Sequence, residues 1–80
     1  MFVKRLMDNK INKLERDIYE LQDMIETYLV LIDMDKVSYT MEMSSDKLEG
    51  INNLYRKIDR IKNVINRKQM TLNWLKLRRA

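Results

Sequence analysis

The sequence predicts an all-α fold: two long antiparallel helices form a helical hairpin, expected to dimerise into a four-helix bundle or coiled coil. Three observations predict it. Met7, Ile11, Leu14, Ile18, Leu21, Ile25, Tyr28 and Ile32 recur at alternating steps of four and three, the spacing of a helix packed lengthwise against another. The second half repeats the pattern with Ile51, Leu54, Ile58, Ile61, Ile65, Leu72 and Leu75. The 80 residues hold no proline and one glycine, so only polar clusters punctuate it. A chain of this length, 1–80, makes one domain, and two helices alone bury little surface.

The first helix is expected from about residue 3 to about residue 35. Its outer face carries Lys10, Lys13 and Arg16, then Asp17, Glu20, Asp23 and Glu26. That order opposes the helix macrodipole, so packing must outweigh a few tenths of a kcal/mol per charge. Near its end the run Tyr28, Leu29, Val30, Leu31, Ile32 is apolar all the way round. One neighbouring helix cannot cover every side of such a run.

Residues 36–46 read as the connection. Ser44, Ser45 and Asp46 suggest a helix start, with Asp46 and Glu49 at capping-box spacing. A connection this long implies local order, such as a short helical turn around Thr40. An alternative pairs residues 28–32 with 37–41 as a β-hairpin, since both are rich in β-branched and aromatic residues. The second helix is expected from about residue 47 to 78. Gly50 weakens its start, and Lys68 takes a seam position, where an antiparallel partner would bring it near Ile11 and Glu15.

Charge is distributed unevenly. Residues 1–16 carry five basic and two acidic groups, residues 17–49 two and nine, and residues 50–80 nine and one. Folding back gathers both basic segments at the open end, which favours a polyanionic partner there. The sharpest feature is a stripe at steps of three and four: Asn53, Arg56, Arg60, Asn63, Arg67, Met70, Trp74 and Arg78. Arginine forks suit phosphates and base edges, and a tryptophan can stack on an unpaired base. The candidate nucleic-acid-binding residues are Arg56, Arg60, Asn63, Arg67, Trp74 and Arg78, joined by Lys4, Arg5 and Lys13. The function expected is a small non-enzymatic regulatory factor that binds DNA or RNA.

The alternative is a protein–protein adaptor or inhibitor acting through apolar helix surface: Tyr28, Leu29, Leu31 and Ile32, or Met70, Trp74 and Leu77. A composition rich in Lys, Asn and Ile would suit a phage or mobile-element protein. A homodimer is the expected oligomer. The tail Thr71–Ala80 is basic and amphipathic, but it continues the seam, so a membrane partner is not expected.

Nothing in the sequence calls for a cofactor, a metal or catalysis. Histidine and cysteine are absent, which removes the commonest general base and thiolate ligands. Asp33 and Asp35 begin a calcium-loop pattern that lacks the glycine and closing glutamate. The start, MFVKRLMDNK, becomes charged too soon for a signal-peptide core, and no apolar run reaches membrane-spanning length; a cytoplasmic location is expected.

One stretch carries a family likeness. Ser45, Leu48, Ile51, Asn53 and Tyr55 fit the second-helix motif of a family of aspartyl-phosphate phosphatases that are small helical hairpins, which the segment 45–55 resembles. That resemblance implies a hairpin fold. At the position of the family's functional aspartate this chain carries Glu49, so the resemblance does not bring the activity with it.

Overall fold

The computed structural model describes residues 2–79 and shows a hairpin of two helices, α1 (Phe2–Glu42) and α2 (Ser45–Arg79). No strand occurs among the described residues. The result is a rod with Cα extents of 61 × 14 × 14 Å. Its radius of gyration is 18.1 Å, against about 11.6 Å for a compact chain of this length.

Both seams form as their spacing dictates. Ile11, Ile18, Leu72 and Leu75 make one buried cluster, with Met7, Leu14 and Ile65 packed on it. Ile32, Ile51 and Ile58 make a second toward the turn, lined by Ile25, Tyr28, Tyr39 and Leu54. The remaining seam residues, Leu21 and Ile61, are half-buried between the two clusters. The seam of α1 also runs beyond Ile32, through half-buried Asp35 to Tyr39.

The connection differs from expectation. Residues 36–42 continue α1 without a break, so residues 28–41 form no β-hairpin, and the expected turn around Thr40 is part of the same helix. Among the described residues only Met43 and Ser44 lie outside the helices. Packing of Tyr39 on the second cluster supplies what the polar sequence conceals. Met43 takes φ 51° and its amide donates to the Tyr39 carbonyl at 2.6 Å, a left-handed helix stop usually filled by glycine. The Leu48 amide donates to the Ser44 carbonyl at 3.3 Å, so Ser44 holds the N-cap position of α2. The capping box expected of Asp46 and Glu49 therefore falls two residues off the cap.

The shorter turn also shifts the register. Lys68 reaches Asp17, Nζ to Oδ2 at 3.3 Å, instead of Glu15. Glu15 pairs with Lys76 at 3.2 Å, and Asp8 with Arg79 at 3.1 Å. Lys76, Arg78 and Arg79 in the last turn of α2 and Asp46 in its first complement its macrodipole. Helix α1 has no such help at either end. Two of its early carboxylates, Asp8 and Glu15, are thus answered by the basic end of the neighbouring helix. No described helix is long and apolar enough to cross a membrane.

Candidate nucleic-acid interface

Since Ile51, Ile58 and Leu72 turn one face of α2 inward, the residues two positions beyond them must turn away. Asn53, Arg60 and Trp74 are those residues, and Arg67 falls two beyond Ile65. Arg56, Asn63 and Met70 interleave with them on the same outer face, and every member of the stripe is exposed. From Arg56 to Arg67 the face runs about 17 Å at 1.5 Å rise per residue, and to Arg78 about 33 Å. Continuous helix over this whole length holds the side chains in one line.

Most of these cations have no carboxylate partner among the described residues. Among the described residues the ion pairs take up Lys47, Lys68, Lys76 and Arg79, and none involves Arg56, Arg60, Arg67 or Arg78. The Arg56 guanidinium donates from Nη1 to Asn53 Oδ1 at 3.2 Å, which orients it without neutralising it. The Arg78 guanidinium lies over the Trp74 ring at 4.8 Å from its centroid. Such stacking holds an arginine extended while its charge stays available.

Trp74 is 55% exposed and stands where two grooves between the helices meet. One, of about 440 Å³, is bounded by Val3, Leu6, Lys10 and Arg78. The other, of about 420 Å³, is bounded by Lys10, Lys13, Asp17, Lys68 and Thr71. Lys13 of the first helix is thereby joined to Trp74 and Arg78. Lys4 and Arg5 are exposed at the same end of the rod and border neither groove.

The apolar candidates separate. Ile32 is 1% exposed and Tyr28 packs on the same cluster, so both are spent on the hairpin's own core. Their spacing already placed them in the seam. Leu29 and Leu31 remain exposed, and so do Met70 and Leu77 on α2. Sequence reasoning missed a second stripe: Val30, Met34, Val37 and Met41 are 58–81% exposed along the outer face of α1 near the turn. Their steps of four, three and four were the available signal.

The segment 45–55 that resembles a phosphatase motif forms the first turns of α2, with Ile51 buried and Glu49 and Asn53 exposed. At the turn end, Lys36 Nζ lies 5.6 Å from the Tyr55 ring centroid, and the neighbouring Tyr55 hydroxyl raises the Lys36 ammonium above the usual lysine range. No protein family, curated protein or solved structure matches the chain.

Proposed function

We propose that the chain is a small non-enzymatic factor that binds nucleic acid along the outer face of α2. The observation that carries this reading is the line of exposed arginines, Arg56, Arg60, Arg67 and Arg78, with no carboxylate partner among the described residues. Uncompensated like charges held along one rigid face cost stability in the free protein, and a polyphosphate relieves that cost. A bare helix of this width also fits the roughly 12 Å major groove of a duplex. Asn63, between the arginines, can read a base edge, while Lys13 with Lys4 and Arg5 extends the field at the open end.

The test is fluorescence anisotropy with labelled single-stranded DNA, duplex DNA and RNA. Charge reversal in Arg56→Glu/Arg60→Glu/Arg67→Glu is expected to lower affinity more than roughly tenfold while helicity by circular dichroism is unchanged. Unchanged affinity would exclude this face. Trp74 is the only tryptophan, so quenching of its emission reports base stacking directly.

The adaptor reading keeps one specific support, the stripe Val30, Met34, Val37 and Met41, which has the spacing of a helix laid into a groove. Binding of a protein partner that survives the arginine reversals and is lost on Val30→Glu/Val37→Glu would favour it.

A further inference from the structure

The chain exposes 6614 Å², whereas a compact monomer of its 9.8 kDa mass exposes about 5,200 Å². The excess is about 1,400 Å² per chain on that scaling. Stable homodimers bury upward of about 2,000 Å² in total, or about 1,000 Å² from each partner. The rod thus has a surplus of surface sized for a second copy.

The two flanks of the hairpin differ. On one flank stand the residues that directly follow seam residues, Asp8, Glu15, Lys36, Tyr55 and Lys76. They are bridged across the helices by Glu15–Lys76 and by Lys36 over the Tyr55 ring. On the other flank stand Lys10, Asp17, Met24, Leu31, Val64 and Thr71, which directly precede the seven-residue series Ile11, Ile18, Ile25 and Ile32 of α1 and Ile65 and Leu72 of α2. Here the two helices enclose three successive grooves, which share Trp74 and Leu75 and then Asp17 and Lys68, so they run on as one trough. Met24 and Val64 lie in it at mid-rod, both exposed.

Charge sets the orientation. The open half of the rod, residues 1–22 with 66–80, carries ten basic and four acidic groups, a net +6. The turn half, residues 23–65, carries six and eight, a net −2. A parallel neighbour would set +6 beside +6, whereas an antiparallel one sets each +6 half beside a −2 half.

We infer that a second copy of this chain docks on the trough flank, its rod antiparallel to the first, to form a two-fold four-helix bundle centred near Met24 and Val64. Arg56, Arg60 and Arg67 on the outer face of α2 line none of these grooves and stay outside this contact, while Trp74, Arg78 and Lys13 line the open end of the trough, at its edge.

Sedimentation equilibrium of the full chain is expected to give twice the chain mass, with a blue shift of Trp74 emission as concentration rises. Met24→Glu/Val64→Glu is expected to give a helical monomer, while Leu29→Glu on the opposite flank leaves the dimer intact. If the double glutamate variant loses helicity, Met24→Ala/Val64→Ala takes its place, with a dissociation constant raised at least tenfold. The chain has no cysteine, so single cysteines report orientation cleanly. Met24→Cys should form a disulfide with its own copy, and Leu6→Cys should not. A monomer at all concentrations, a dimer indifferent to the Met24 and Val64 substitutions, or self-linkage of Leu6→Cys would each overturn the inference.

Discussion

Two single residues show how narrowly the turn is made. Met43 holds a left-handed backbone conformation, φ 51°, where a Cβ crowds the following carbonyl oxygen at a cost of roughly 1–2 kcal/mol. Glycine has no such penalty but loses more freedom on folding. Met43→Gly is therefore expected to stabilise the hairpin by about 0.5–1 kcal/mol, read as a higher urea midpoint at unchanged slope. Gly50 is the reverse case. It sits inside α2, its φ is not positive, and a Cβ built there meets nothing within 4 Å. Gly50→Ala is expected to add about 0.5–1 kcal/mol by removing the helix-interior penalty, visible as a raised Tm. A fall in Tm would mean that the half-buried surface of Gly50 is needed bare.

At the scale of the helix, neighbouring apolar residues have opposite worth. Ile32 is fully buried against Ile51 and Ile58, whereas Val30 points outward. Ile32→Ala is expected to cost about 2–4 kcal/mol and to loosen the turn half first, while Val30→Ala stays within about 0.5 kcal/mol. Hydrogen exchange of the amides of residues 36–42 and 45–51 distinguishes the two. The seams were legible in the sequence because every member from Met7 to Ile32 and from Ile51 to Leu75 is set by one periodicity. The last turns of α1 were not, because the seam there passes through Asp35 and Tyr39, a charge and a β-forming aromatic. That misreading lengthened the turn and with it displaced Lys68 from Asp17 to Glu15. Of the candidate site, the arginine stripe was legible as spacing alone, since outer positions follow once the seam is known. The grooves around Trp74 depend on the register between helices, which no local pattern encodes.

The whole molecule is a charged rod, and its behaviour should follow salt. Pairing of Asp8 and Glu15 with Arg79 and Lys76 is exposed and is worth at most a few tenths of a kcal/mol each, so the pairs set register more than stability. The uncompensated arginines matter for partners. In a two-fold pair of antiparallel rods α2 lies beside its copy, so the two basic outer faces stand side by side on the same side of the bundle, and a single nucleic acid could then run across both.

The most direct test of the central claim is the slope of log affinity against log salt concentration for nucleic acid, measured on the native chain and on Arg56→Glu/Arg60→Glu/Arg67→Glu. Engagement of the four arginines predicts a slope of roughly −3 to −4, about a hundredfold loss between 50 and 200 mM salt, and a much shallower slope in the variant. A shallow slope in the native chain, or the same slope in both, would contradict a nucleic-acid interface on α2.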